Sequence, residues 1–307
     1  MEQNGISIIP PSGVSENTVG KSKSIGITLR SNGTIQSARE KLKAPWLKKT
    51  EEGSTKDKIR AVLGEMIGTA IIVFVGCMSC LGRLNHSTKD YVEPPAIDVA
   101  FAFGFAIMIA IQCVGHISGS HLNPAISAAA AILGNKSILM TLFYVVAQCL
   151  GALLGFGLLQ MIVPKDFTHG GDSKTAEFCN TKITNDKLNA IHGFAAEILA
   201  TGIFAFFACA SWDPRNAKNT DSLPLKFGLC ITGLCFAFVP ISGCSLNPAR
   251  SFGPAVWNNY WKNHWIYWVG PITGAIIAAM IYRFIFSLKT KSQENLQDIG
   301  TLNGIET

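Results

Sequence analysis

The sequence predicts an all-α integral membrane protein, with six transmembrane helices plus two re-entrant half-helices in an inverted repeat. Three observations predict this fold class. The chain is apolar, since 48% of its 307 residues are hydrophobic, 15% are charged and the mean hydropathy is +0.29, whereas soluble domains are about a quarter charged. Six apolar segments have about the length that a bilayer requires. One polar phrase, Ser-Gly-x-x-Leu-Asn-Pro-Ala, occurs twice inside apolar sequence.

An apolar body lies between two polar tails. Residues 1–58 lack periodicity and predict a disordered tail, residues 59–288 form the body, and residues 289–307 form a second tail. The predicted spans are 60–82, 96–116, 137–162, 191–212, 224–242 and 264–287. Two further apolar stretches, 123–133 and 247–257, are too short to cross a bilayer, because about ten helical residues cover only about 15 Å.

The body repeats itself, with one copy over about 59–163 and the other over about 190–288. Glu65 in "GEMIGTAIIVF" matches Glu197 in "AEILATGIFAF", and Tyr144 matches Tyr267. Each copy has the order helix, helix, half-helix, helix. Because each copy crosses the membrane an odd number of times, the second must be inserted upside down.

The charge distribution predicts the orientation of the chain. The Lys- and Arg-rich tail before the first span predicts that both termini are cytoplasmic, and we expect the plasma membrane as the location. No basic stripe continues into the apolar body, which argues against a nucleic-acid partner. Asn85 begins an Asn-His-Ser triplet in the first outer loop and is a candidate glycosylation site.

The nine cysteines do not predict a disulfide framework, because eight lie in apolar stretches or at their ends and only Cys179 lies in a polar loop. Cys77 and Cys80 have redox-motif spacing, but they end an apolar helix with no strand nearby. We therefore expect both to serve helix packing. No nucleophile–base constellation or metal-ligand spacing appears, so the sequence predicts neither an enzyme nor a cofactor.

Each Asn-Pro-Ala predicts the start of a helix at membrane depth, because Asn is a favoured N-cap and Pro is favoured at the first helical position. Half-helices that enter from opposite faces would meet N-terminus to N-terminus. Each N-terminus carries about half a positive charge, so the pair would repel cations, including the hydrated proton. The asparagine amides could donate to a passing oxygen. The residues concerned are Asn123, Pro124 and Ala125, and Asn247, Pro248 and Ala249.

The two motifs in their context, "GHISGSHLNPA" and "NPARSFGPA", resemble the aquaporins, or major intrinsic proteins, over about Ala61 to Phe286. The resemblance implies an hourglass fold in a lipid bilayer, one pore per subunit and a homotetramer. It implies that Glu65 and Glu197 brace the re-entrant loops through hydrogen bonds. It also implies that His121 lines the inner vestibule.

The resemblance places a narrow filter at Phe103, Cys235, Cys244 and Arg250. Strict water channels usually have histidine at the position of Cys235. A thiol is smaller and is a weak hydrogen-bond donor, so we expect a wider and less polar filter. This pattern is similar to the insect entomoglyceroporins, which pass glycerol and urea as well as water. Other markers, Ser251 and the pair Tyr267-Trp268, instead match the water-channel pattern.

The leading hypothesis is a passive channel for water and small neutral solutes such as glycerol and urea, with ions and protons excluded. A strictly water-selective channel is the alternative. A coupled secondary transporter is a further class, because inverted repeats and broken helices also occur there. It would require an ion-binding group at the substrate site, and Glu65, Glu197 and Arg250 already have bracing or filter roles. Nothing in the sequence requires a non-conducting scaffold.

Overall fold

A computed structural model describes residues 53–81, 83–84, 91–92, 94–164, 178–183 and 185–287. The candidate glycosylation site Asn85, the C-terminal tail and all but the last residues of the N-terminal tail lie outside these ranges. The predictions made for them therefore stay predictions.

The described residues form eight α-helices, and six of them are long and apolar enough to cross a membrane. The two short helices begin at Pro124 and Pro248, where the repeated motif predicts helix starts. These findings confirm the predicted fold class. In chain order the helices are α1 (Thr55–Met78), α2 (Ala96–Ser118), α3 (Pro124–Leu133), α4 (Ile138–Ile162), α5 (Ala190–Ser211), α6 (Leu223–Ser242), α7 (Pro248–Asn258) and α8 (Ile266–Ile281).

Four small elements complete the described structure. A two-residue strand β1 (Arg83–Leu84) pairs antiparallel with β2 (Tyr91–Val92) between α1 and α2. A 3-10 turn, Pro214–Asn216, follows α5, and a π-helical turn, Tyr282–Phe286, continues α8.

The first helix begins earlier than the sequence predicts, so the boundary of the disordered tail at residue 58 is too late. The reason is a capping box. The Ser54 hydroxyl accepts from the Asp57 backbone N–H at 3.3 Å, and the Asp57 carboxylate accepts from the Ser54 backbone N–H at 3.2 Å. This reciprocal pair satisfies two of the backbone donors that a helix start leaves open.

The two halves pack in the same way. Helix α1 lies against α4, and α5 lies against α8. Gly151 of α4 touches the backbone carbonyl of Met66, and Gly274 of α8 touches that of Ile198, so a Cβ at either glycine would overlap backbone. Small residues of this kind allow membrane helices to approach closely. Each half-helix packs chiefly against the last long helix of the other half, which joins the two repeats.

Candidate functional site

The loops that lead into the two half-helices have the same unusual backbone. Gly119 and Gly243, which cap α2 and α6, have φ values of 84° and 80°. Four residues with side chains also take positive φ, between 47° and 56°, at about 1–2 kcal/mol each. They are Ser120, Leu122, Cys244 and Leu246. A loop with this conformation needs contacts from the surrounding helices to hold it.

Glu65 supplies such contacts to the first loop. Its side chain is fully buried in α1. Oε1 accepts from the backbone N–H of His121 at 2.9 Å, and Oε2 accepts from the backbone N–H of Leu122 at 2.6 Å. Gln148 Nε2 of α4 donates to the same Oε2 at 2.8 Å. A buried carboxylate is costly unless it is partnered, and these three donors provide the partners.

Glu197 supplies the equivalent contacts to the second loop from α5. It is also fully buried. It accepts from the backbone N–H groups of Ser245 and Leu246, both at 2.9 Å, and from the Ser242 hydroxyl at 2.7 Å. The two carboxylates therefore make matching contacts in the two halves, as the sequence match between them suggests.

The two asparagines join the loops to each other. Asn123 Nδ2 donates to the carbonyl of Leu246 at 2.7 Å, and Asn247 Nδ2 donates to the carbonyl of Leu122 at 2.8 Å. Each Oδ1 caps its own half-helix, accepting from Ala125 N at 2.8 Å in one case and from Ala249 N at 3.0 Å in the other. The N-termini of α3 and α7 therefore face each other inside the protein.

A cavity of about 560 Å³ adjoins this junction. Its wall includes both asparagines and all four residues of the predicted filter, Phe103, Cys235, Cys244 and Arg250. Each of these filter residues is at most 6% exposed. The cavity continues to His121, Trp212 and Asp221 at the ends of the helices. The two motif asparagines and the four predicted filter residues therefore border the same cavity.

Arg250 is held on two sides. Its Nη1 donates to the backbone carbonyl of Cys179 at 2.8 Å, and its guanidinium carbon lies 4.6 Å from the centroid of the Phe103 ring. In the part of the chain that the structure describes, no carboxylate forms an ion pair with it. An arginine bound to a carbonyl and an aromatic face keeps its full positive charge beside the cavity.

These observations can be compared with known proteins. The model of the family "Major intrinsic protein" matches residues 52–282. The chain belongs to this family. It is 37% identical to Aquaporin-4 of Mus musculus over 243 residues, which cover 78% of this chain and 71% of that one. It is 33% identical to Aquaporin-1 of Homo sapiens over 248 residues, which cover 80% of this chain and 89% of that one.

The fold is also similar to the X-ray structure of the aquaglyceroporin from Plasmodium falciparum. The TM-score is 0.65 at 21% identity, over 74% of this chain and 96% of that chain. Membership of the major intrinsic protein family, with six membrane-spanning helices in the described residues, identifies a multi-pass membrane protein. It supports a passive channel for water rather than an enzyme.

The expectation that Cys77 serves only helix packing is wrong. Cys77 does not only pack in its helix, because it forms a disulfide with Cys179, across a Cα–Cα distance of 5.5 Å and 102 residues of chain. Cys80 is not part of a disulfide. Cys179 lies in a polar loop by sequence, yet the loop turns inward and the residue is only 8% exposed. A tertiary approach of this kind leaves no local pattern.

His121 lies at the wall of this cavity. Its Nδ1 is 3.2 Å from the Ser127 hydroxyl, and its ring lies 5.2 Å from the Tyr144 ring and 5.5 Å from the Trp212 ring, between centroids. Two further groups at this site, Trp212 and the backbone carbonyl of Cys179, were not predicted from the sequence. Trp212 had a weak signal in the sequence, because it is an aromatic residue at the end of the predicted span 191–212.

Proposed function

We propose that this aquaporin is a passive channel for water and small neutral solutes, including glycerol and urea, and that it excludes ions and protons. The observation that carries the proposal is the shared cavity wall. Two facing half-helix N-termini, one guanidinium and a small thiol all border the same path.

Exclusion of cations follows from the charges along this path. The N-termini of α3 and α7 each contribute about half a positive charge at the asparagine junction. Arg250 adds a full charge at the filter, where its hydrogen-bond partner is a neutral carbonyl. A hydrated cation would lose water in a region of positive potential, whereas a neutral solute would not meet that barrier.

The asparagine amides have donors for a permeating molecule. Each Nδ2 carries two hydrogens, and one of them is used by the carbonyl of the opposite loop. The second hydrogen of each amide is then available to an oxygen in the cavity. A water molecule that accepts from both amides uses both of its lone pairs there, so it can donate to its neighbours in the file but cannot accept from them. This orientation interrupts a proton relay through the junction.

The solute range follows from Cys235. Its thiol shares the cavity wall with Arg250, Cys244 and Phe103. Arg250 offers a donor fork to solute hydroxyl or carbonyl oxygens, while Phe103 offers an apolar face to the carbon chain. Desolvation of an unmatched hydroxyl costs a few kcal/mol, so such a pairing favours entry of a polyol.

Strict water selectivity is the second candidate, because Ser251, Tyr267 and Trp268 match the water-channel pattern. Two of these residues have other tasks. The Tyr267 hydroxyl donates to the Ser242 carbonyl at 2.9 Å, which matches the contact between Tyr144 and the Ser118 carbonyl at 2.7 Å in the other half. The Ser251 hydroxyl lies in a buried cluster with Thr181 and Ser245. Their identities therefore report on loop packing as well as on solute range.

The test is permeability in oocytes or proteoliposomes under water, glycerol and urea gradients. Wild-type protein should conduct all three, without dependence on a proton or sodium gradient. Cys235→His should suppress glycerol and urea flux and spare much of the water flux, because imidazole would fill the filter. Cys235→Ser, which is similar in size to the native residue, is the matched control and should retain solute flux.

Wild-type swelling in water with no glycerol or urea uptake above background would establish the strictly water-selective alternative. Uptake that requires an ion gradient would instead establish a coupled transporter.

We further propose a homotetramer in the plasma membrane with both termini cytoplasmic. Supporting this, lipid-length helices carry many exposed apolar side chains in the described residues, and the tail before α1 is basic. Crosslinking of purified protein should trap four subunits. A tag at either terminus should be labelled only after the membrane is permeabilised.

A further inference from the structure

The disulfide between Cys77 and Cys179 lies beside the predicted filter. Cys179 uses its sulfur to bind Cys77 and its backbone carbonyl to accept from Arg250. Its Sγ also lies 3.7 Å from Nη2 of Arg250. The residue that holds the guanidinium is therefore itself covalently attached to α1.

The residues around the guanidinium contact one another as well as Arg250. Gly76, the neighbour of Cys77, lies against the Phe103 ring so closely that a Cβ there would overlap it. The Phe103 ring faces the Arg250 guanidinium, and the guanidinium donates to the carbonyl of Cys179. The disulfide then connects Cys179 to Cys77, the residue next to Gly76. One turn of α1 thus sets both sides of the arginine site.

Two other polar contacts of the loop 178–183 are made with a different helix. Asn258 donates to the carbonyl of Phe178 at 2.8 Å, and Thr181 donates to the Ser251 hydroxyl at 2.8 Å. Asn258 and Ser251, like Arg250, belong to α7. In the described residues, the disulfide is the covalent link that joins this loop to the first repeat.

We propose that the disulfide Cys77–Cys179 is a positioning element of the filter, which holds Arg250 against the pore wall and so sets the open width of the path. This inference rests on the proposed channel function. Without the disulfide, the carbonyl of Cys179 is no longer tied to α1, and the guanidinium exchanges that carbonyl for water in the path. A long cationic side chain in a narrow passage obstructs large solutes more than water.

The test compares purified proteins in proteoliposomes, with protein per vesicle quantified. The variants are wild type, Cys77→Ser/Cys179→Ser, and Cys113→Ser, whose exposed cysteine on α2 is a control. The disulfide variant should show lower water permeability per channel, and its urea-to-water ratio should fall on the order of tenfold, as expected for loss of a hydrogen bond to a charged group. Cys113→Ser should match wild type.

A double-mutant cycle separates positioning from simple loss of folding. In an Arg250→Ala background, removal of the disulfide should change neither water permeability per channel nor the solute ratio, because no guanidinium remains to be positioned. A purely structural disulfide would alter both backgrounds alike. Equal effects on water permeability in the two backgrounds would overturn the inference. In a channel that conducts urea, an unchanged or higher urea-to-water ratio in Cys77→Ser/Cys179→Ser would overturn it as well.

Two measurements keep this inference separate from the proposed function. Water permeability decides the cycle even in a channel that admits no urea. Alkylation of native protein without reductant, followed by mass spectrometry, decides the bond itself even in a protein that conducts nothing. Cys77 and Cys179 should resist alkylation and appear as one linked peptide pair, and alkylation of both thiols would overturn the inference.

Discussion

Replacement of Glu197 by alanine should destabilise the second re-entrant loop by an amount that follows from its hydrogen bonds. The carboxylate accepts from two backbone N–H groups and one hydroxyl, at 2.7–2.9 Å. Alanine leaves the N–H groups of Ser245 and Leu246 without this partner in the protein interior. Each orphaned buried donor costs about 1–3 kcal/mol, so the expected loss is about 2–6 kcal/mol.

The assay is thermal unfolding of purified protein in detergent, together with water permeability per channel. For a chain of this size about 1 kcal/mol corresponds to about 2–4 °C, so the midpoint for Glu197→Ala should fall by at least about 4 °C. Glu197→Gln keeps the volume but turns one amide N–H₂ toward a backbone donor, so it should lie between alanine and wild type.

Asp186→Ala removes an exposed loop carboxylate and is the matched control. A midpoint for Glu197→Ala no lower than that of Asp186→Ala would refute the bracing argument.

Two further predictions concern the pore. Mercurial reagents should inhibit water flux by binding to Cys244, which lies three residues before Asn247. A metal bound there would occlude the path, because Cys244 lines the cavity. Oocytes that express Cys244→Ser should swell normally in the presence of mercury. Equal inhibition of variant and wild type would mean that another cysteine binds the metal, with Cys235 the first to test. Second, voltage clamp under a pH gradient should detect no expression-dependent proton current in wild type, because the facing half-helix N-termini and Arg250 repel cations. Such a current would contradict the proposed exclusion.

The half-helices were predictable because their signals are local and occur twice. An Asn-Pro pair reports an N-cap and the first helical residue with no knowledge of the rest of the fold. Asn123 and Asn247 accordingly cap α3 and α7. The odd number of spans per repeat then requires the two starts to face each other. What the sequence did not indicate is the exchange of amide hydrogen bonds between Asn123 and Leu246 and between Asn247 and Leu122.

The start of α1 shows a different limit. The run of apolar residues begins near residue 60, whereas the helix begins at Thr55. The signal that sets the boundary is the Ser54–Asp57 capping box, which lies in the polar stretch assigned to the tail. Hydropathy identifies the apolar part of a helix that lies in the bilayer. The polar turns beyond it have to be identified from capping residues.

The disulfide could not be derived from composition because cysteine is also among the residues most often buried in apolar helices. Eight cysteines in or near such helices make packing the reasonable expectation for each of them. Cys77 lies buried in the last turn of α1, where it reaches the loop 178–183, whereas Cys80 lies in the turn after the helix and is not part of a disulfide. The two bonded cysteines are 102 residues apart in the sequence. The path of the loop depends on contacts with α7 that are made by single side chains, Asn258 and Ser251.

Arg250 was predictable from its motif, whereas its acceptor is a backbone carbonyl that any residue type would supply. The identity of a filter residue is therefore readable from sequence, and the contacts that orient it require the fold.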